Sequence, residues 1–257
     1  MLIKSVYLTL NNTNRKLRLI IDIAAPEGSF PWAMIKAYLG NKVYRSNWDF
    51  PVEYIRLAGI PDNDPYIEKH KPENTTSWNP AQKDLVACDW QVMCPDDSML
   101  SFDLTLGTRT YGDDGVNTGS FGQDWGYMTN KGQREQDEQI FGTLTTDQKN
   151  KTDIANVLSF FWEERVHLGT SETLRFRVSS SKANYQNMLN LMQKALSVIV
   201  DGVSYHVGVP TSSSYPTNDN INDWYTYTAY YRSDDAQKLS TILKQRNTIK
   251  TFCFNWK

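Results

Sequence analysis

The sequence has few of the side chains that carry out metal and thiol chemistry. Among its 257 residues these are His70, His167, His206, Cys88, Cys94 and Cys253. Three histidines exclude a histidine-rich metal cage, because zinc requires three or four converging ligands. An odd number of cysteines without an export signal favours reduced thiols over a disulfide framework.

The sequence also lacks long apolar runs and an excess of charge of one sign. Its 27 basic and 29 acidic residues leave a formal charge of −2, which argues against a polybasic nucleic-acid binder. No stretch reaches the roughly 20 apolar residues that would cross a bilayer, so no membrane partner is expected. The segment Met1–Leu10 has neither a basic leader nor a cleavage site, so we predict no signal peptide and an intracellular location, the host-cell cytoplasm if the protein is viral.

Signatures of catalysis are missing as well. The sequence contains no Gly-x-Ser-x-Gly elbow, no Walker loop and no Gly-x-Gly-x-x-Gly after a strand, so we predict no enzyme and no cofactor. Glu163 and His167 are four residues apart and would share one face of a helix. The apolar residues around them fit a strand equally well, and no further pair is spaced to complete a metal site.

Aromatic residues, in contrast, are abundant. The chain holds 8 Trp, 14 Tyr and 10 Phe, and each such ring buries about 150–250 Å² when it packs in a core. A chain with this composition can build a substantial core, which argues against disorder over most of its length.

The hydrophobic pattern predicts strands followed by capped helices. Lys4–Leu10 and Leu17–Ile23 form a predicted β-hairpin with a polar turn. A short helix follows, because Ser29 is a suitable N-cap, Pro31 fits the first turn and Gly40 can end the helix.

A second set of elements is predicted in the C-terminal half. Thr173–Val178 alternates apolar residues with Arg175 and Arg177, which indicates a half-buried strand with the two arginines as solvated or paired charges. A helix over Asn184–Leu196 follows. Asp201-Gly202 then predicts a tight hairpin into Val203–Val209.

The last predicted elements are a strand, a helix and a closing strand. Trp224–Tyr231 is the strand, and Ser233 caps a helix whose inner face carries Ala236, Leu239 and Leu243. Thr248–Trp256 is the closing strand, and its alternation suggests burial on at least one face.

Three stretches lack such periodicity and are predicted to be long surface loops. They are residues 59–80 with four prolines, residues 107–142 with eight glycines, and residues 210–222, rich in Ser, Thr and Asn. No clean linker separates the elements. We therefore predict an α+β, mainly β chain of 257 residues in a single domain, with an antiparallel sheet or sandwich core and three or four helices.

Aromatic residues in these loops are the predicted contact surface. The candidates are Tyr111, Phe121, Trp125, Tyr127 and Tyr215. Rigid rings beside adaptable amides suit contact surfaces because they lose little conformational entropy on binding. A weaker calcium alternative is offered by Asp113, Asp114 and Asn117, although Asp-Gly sequences are also common in ordinary turns.

The order of elements resembles that of the polyhedrins, the matrix proteins of insect-virus occlusion bodies, particularly the cypovirus kind. The similarity lies in the opening strand, turn and strand over Val6–Ile23, the helix over Pro31–Leu39, and the strand Leu174–Val178 leading through Tyr185 to a helix that ends near Leu196. The family begins with a helix where this chain begins with a strand, so no binding residues are carried over. The resemblance implies a non-enzymatic protein that packs into intracellular crystals around virions.

The leading sequence-based hypothesis is therefore a self-associating structural protein of a viral occlusion body. Its expected partners are further copies of the chain and, in a virus, the virions. The alternative is a glycan-binding or receptor-binding module of a phage or toxin protein, which would use the same aromatic residues.

Overall fold

The structure, a computed structural model, describes residues 25–49, 53–59, 64–112, 121–130, 140–166, 170–214 and 225–257. These residues form sixteen strands and four helices, and every strand pair is antiparallel. The predicted α+β, mainly β fold with an antiparallel core is therefore confirmed. Within the chain, two compact units can be distinguished, Met1–Met93 and Cys94–Lys257, and the single domain stays a prediction.

In its described residues, the first unit contains two helices and one five-stranded sheet. Its elements are α1 (Phe30–Tyr38), β1 (Val43–Arg45), β2 (Tyr54–Ala58), β3 (Tyr66–His70), β4 (Thr75–Ser77), α2 (Gln82–Leu85) and β5 (Trp90–Val92). The strand order is β4-β3-β2-β1-β5.

Helix α1 forms as the sequence predicts. The Ser29 hydroxyl accepts a hydrogen bond from the Trp32 backbone N–H at 3.4 Å, and Pro31 lies in the first turn. The helix buries Ala33 and Ala37 completely. These two small side chains let the helix approach the sheet closely.

A cluster of aromatic rings fills the core of the first unit. The Trp48 ring lies edge-on to the rings of Trp78 and Trp90, with centroids 6.2 and 5.3 Å apart. Phe30 of α1 also packs on Trp90 at 6.0 Å. Pairs with this geometry contribute about 0.5–1.5 kcal/mol each beyond their buried area.

The described part of the second unit contains two sheets and two helices. Its elements are β6 (Leu100–Thr105), β7 (Gly107–Gly112), β8 (Phe121–Met128), β9 (Thr143–Asn150), β10 (Asn156–Val166), β11 (Thr170–Ser180), α3 (Tyr185–Met192), β12 (Leu196–Val200), β13 (Val203–Gly208), β14 (Ser212–Ser214), β15 (Tyr225–Tyr231), α4 (Asp234–Leu243) and β16 (Ile249–Trp256). One sheet has the order β14-β15-β11-β10-β8-β7, and the other has the order β13-β12-β16-β6-β9.

The two sheets of the second unit face each other across a shared core. Phe160 and Phe176 of the six-stranded sheet each contact Phe254 of the five-stranded sheet, with ring centroids 5.2 Å apart. Leu239 and Leu243 of α4 are buried in the same core. The arrangement agrees with the predicted sandwich.

Local signals in this unit are also confirmed. Asp201 and Gly202 adopt positive φ angles of 53° and 70° between β12 and β13, as a tight hairpin requires. The Ser233 hydroxyl accepts a hydrogen bond from the Ala236 N–H at 3.1 Å and caps α4. In contrast, Arg175 and Arg177 are 0% and 7% exposed. The prediction of a half-buried strand was wrong, because both faces of β11 are covered.

Regular strands run through the segments predicted to be loops. Strands β3 and β4 lie within residues 59–80, β7 and β8 lie within residues 107–142, and β14 lies at 212–214. The loop prediction was therefore wrong for these strands. Glycine and proline content marked them as irregular, but their pairing with distant strands determines their structure. The predicted hairpin over residues 4–23 lies outside the described residues.

One disulfide bond corrects the prediction of reduced thiols. Cys94 and Cys253 are bonded and their Cα atoms are 5.6 Å apart, whereas Cys88 is free and exposed. The odd number of cysteines reflects one bonded pair and one additional thiol.

Within the described ranges, no helix is both long and apolar enough to cross a membrane.

Candidate functional site

The outer face of the first unit's sheet combines rings, cations and amides. Alternation along β2 sends Ile55 into the core and places Tyr54 and Arg56 on the opposite face. The register pairs Tyr54 with His70 and Arg56 with Glu68, so strand β3 contributes to this same face. We call these side chains, with Lys42 and Gln91, the outer face; Tyr44 pairs with Gln91 in register but is buried.

A stacked pair of rings lies on this outer face. The Tyr54 and His70 rings are 4.7 Å apart and inclined by 26°, and the Lys42 ammonium lies 4.8 Å from the centroid of the Tyr54 ring. The His70 Nδ1 atom is 2.9 Å from the Thr75 hydroxyl, which fixes the orientation of the imidazole. Tyr54 and His70 are both half-buried, so part of each ring is accessible.

Polar groups flank the ring pair on both sides. The Tyr44 hydroxyl donates to Gln91 Oε1 at 2.6 Å, and Arg56 forms an ion pair with Glu68. Glu68 is buried, whereas about half of the Arg56 side chain is exposed. Side chains that are already held by neighbours lose less conformational entropy when they bind, which suits a recognition surface.

A separate set of charges braces the opposite side of the sheet. Arg45 forms ion pairs with Asp84, at 3.0 Å, and with Asp89, and its guanidinium lies 5.7 Å from the Trp90 ring. Burial acts to raise the pKa of Asp89, but hydrogen bonds from Arg45 and Ser46 outweigh it and hold that pKa below its ordinary value. This group holds α2 against the core and is structural.

Of the predicted contact residues, the structure describes the side chains of two, Trp125 and Tyr127. Trp125 is half-buried, with the Lys244 ammonium 4.7 Å from its ring. Tyr127 is only 6% exposed and lies in the core, which corrects its assignment to a contact surface. Tyr111 lies in β7 and Phe121 in β8, with side chains outside the description, and Tyr215 lies outside the described residues.

The weaker metal and catalytic candidates gain no support. Asp113, Asp114 and Asn117 lie outside the described residues, as does His167. Glu163 lies in strand β10, which selects the strand alternative for its segment. Across the described part of the chain, no three His, Cys, Asp or Glu side chains converge closely enough to hold a metal ion.

One serine and histidine pair does form within the second unit. Ser197 Oγ and His206 Nδ1 are 3.1 Å apart on neighbouring strands. Asp235 accepts a hydrogen bond from the His206 backbone N–H at 2.9 Å and not from the imidazole. The carboxylate therefore does not orient the ring as a catalytic triad would require.

The outer face of the first unit was not predicted from the sequence. One signal was present: Tyr54–Ala58 alternates in polarity, which places Tyr54 and Arg56 on one face of the strand. The pairing of Tyr54 with His70 depends on the register of β2 and β3. Sequence spacing alone does not give that register.

Two family comparisons match parts of the chain. Residues 28–93 match the Thoeris anti-defense 2-like domain, and residues 137–257 match a domain of unknown function, DUF7823. The first description indicates a phage-related protein. No curated protein and no solved structure has a significant match to the chain.

Proposed function

We propose that the chain is a phage-related, non-enzymatic binding protein whose first unit counteracts a Thoeris defence through its outer face. The match to the Thoeris anti-defense 2-like domain supports this proposal. It ends at Met93, the residue at which the first structural unit also ends. The similarity therefore covers nearly all of the described part of one folded unit.

The outer face supports binding as the mode of action. Its ring pair, Tyr54 and His70, offers contact area, and Lys42 adds a positive charge beside it. No arrangement of nucleophile, base and orienting group occurs on this face among the described residues. The proposed binding role rests mainly on the half-buried ring pair beside Lys42, which lies within the matched unit.

The test measures phage growth on bacteria that carry a Thoeris defence. Cells that express the intact protein should give as many plaques as cells without the defence. Tyr54→Ala removes the ring that contacts both His70 and Lys42, and we expect it to restore protection against the phage.

The matched control is Tyr38→Ala, because Tyr38 is 65% exposed on α1 of the same unit and contributes nothing to the outer face. This variant should retain full activity. Circular dichroism should show that both variants are folded. If the intact protein gives no plaques above background, the proposed function is wrong; if Tyr54→Ala behaves like Tyr38→Ala, the assignment of the outer face is wrong.

The occlusion-body hypothesis stays a prediction, since neither family match concerns such proteins. Crystalline inclusions in overexpressing cells that dissolve only in strong base would support it. The glycan-binding alternative is equally a prediction, and a glycan array with the intact protein would test it.

A further inference from the structure

A buried row of charged side chains crosses three neighbouring strands of the second unit. Arg109 of β7 pairs in register with Asp124 of β8, which pairs with Glu163 of β10. The Arg109 Nε–H donates to Asp124 Oδ2 at 2.6 Å. Asp124 is 0% exposed and Glu163 is 4% exposed, so two acidic residues occupy directly opposed positions away from water.

Only one of the two Asp124 carboxyl oxygens has a hydrogen-bond partner among the described residues. Asp124 Oδ1 is buried and has no hydrogen-bond partner among the residues that the structure describes. A buried acceptor that lacks a hydrogen bond is costly, because it has lost water and gained nothing in exchange. A charged carboxylate makes this cost larger.

The neighbouring Glu163 makes an ionised Asp124 less favourable still. Directly opposed residues in an antiparallel pair have Cβ atoms about 4.5–5.5 Å apart, so two charged carboxylates at these positions repel each other. Burial is the main factor that raises the pKa of Asp124 to about 6, and Glu163 acts in the same direction. Arg109 and Arg165 act in the opposite direction.

We propose that Asp124 takes up a proton in mildly acidic solution and that this proton lets Asp124 Oδ1 form the hydrogen bond that it lacks. A hydronium ion delivers the proton to Asp124 Oδ1, and the new O–H becomes a hydrogen-bond donor. No other bond changes, and the charge of the protein rises by one. Asp124 is thus a proton-sensitive element in the second unit.

The charged groups around Asp124 are consistent with this assignment. Arg109 reaches it from β7, and Glu163 forms an ion pair with Arg165 on β10. On the opposite face of β8, Lys244 of α4 lies over the Trp125 ring.

Two charged groups of the nearby strands form hydrogen bonds with other residues. Asp103 of β6 bonds to Thr251, and Lys149 of β9 bonds to the Asp96 carbonyl.

The bound proton should stabilise the folded second unit. Asp124 has an ordinary pKa of 3.8 and a raised pKa of about 6 in the folded protein. Between these values the folded protein binds more protons than the unfolded chain, so stability falls as the pH rises through this window. This stabilisation of the folded protein is fully present below pH 3.8 and is lost above about pH 6.

The first experiment is a carbon-detected NMR titration of the carboxyl groups in the intact protein. We expect Asp124 to titrate near pH 6 and its midpoint to fall in Glu163→Gln, because that variant removes the second carboxylate. A midpoint of Asp124 at its ordinary value would overturn the proposal. So would a midpoint that Glu163→Gln leaves unchanged.

The second experiment compares stability across pH 4 to 7.5 in the wild type, Asp124→Asn and a control, Asp235→Asn. The wild type should lose stability relative to Asp124→Asn as the pH rises. Asp235 is a suitable control, because a hydrogen bond from Lys238 lowers its pKa and its pH dependence has the opposite sign. If Asp124→Asn fails to fold, the wild-type titration alone decides, and parallel curves for the wild type and Asp124→Asn would contradict the proposal.

Discussion

Gly126 is a residue whose lack of a side chain the fold requires. It adopts a φ of 135° in β8, and an added Cβ would lie 2.4 Å from the Phe160 carbonyl oxygen. Gly126→Ala should therefore reduce the free energy of unfolding by an amount on the order of 3 kcal/mol, through backbone strain and a clash with a fixed backbone atom. Urea unfolding would measure the loss.

Gly208 provides the matched control for Gly126. It also has a positive φ, 86°, but no heavy atom lies within 4 Å of an added Cβ. Gly208→Ala should cost only the strain of the left-handed backbone, about 1–2 kcal/mol. Equal losses in the two variants would show that the close approach at Gly126 contributes nothing.

Helix α4 depends on its first turn. The Ser233 hydroxyl caps the Ala236 N–H, and Asp234 and Asp235 place negative charge at the positive end of the helix. Ser233→Ala should lower the free energy of unfolding by about 1 kcal/mol, measured by urea titration. Thr241→Ala, an exposed substitution in the same helix, should change it by no more than about 0.5 kcal/mol. A loss for Thr241→Ala as large as that for Ser233→Ala would contradict a capping role.

The elements that the sequence predicted correctly are those whose signals are local. The Ser29 and Ser233 caps and the Asp201-Gly202 hairpin each depend on residues a few positions apart. Strand β7 could not be predicted in this way, because Gly107 belongs to a strand only through its pairing with Gly126. Glycine content was misleading where close backbone packing is the reason for it.

The candidate site could not be predicted from the sequence for the same reason. Tyr54 and His70 are sixteen positions apart, and only the register of β2 and β3 brings their rings together. Alternation along β2 could have predicted that Tyr54 and Arg56 share a face. It could not have predicted the partner strand.

At the scale of the whole molecule, the Cys94–Cys253 bond is the longest covalent constraint. It closes a segment with a sequence separation of 159 residues, for which the chain-entropy model gives about 5 kcal/mol of stabilisation. Replacing both residues by alanine should destabilise the second unit by up to this amount. Chemical denaturation with and without a reducing agent would measure the effect.

Because both cysteines belong to the second unit, the first unit should not respond. Hydrogen exchange resolved by residue should show faster exchange after residue 94 and unchanged protection in α1 and β1. Cys88→Ser, which removes the free thiol, is the control and should leave both units unchanged. Uniform loss of protection over the whole chain would contradict independent cores.

The position of β16 has a consequence for biosynthesis. This strand lies between β12 and β6 in the middle of its sheet, yet it is translated after both of them. Until the ribosome has delivered it, β6 with β9 and β12 with β13 can exist only as separate pairs. We therefore expect the first unit to mature during translation, whereas the second must wait for its last strand.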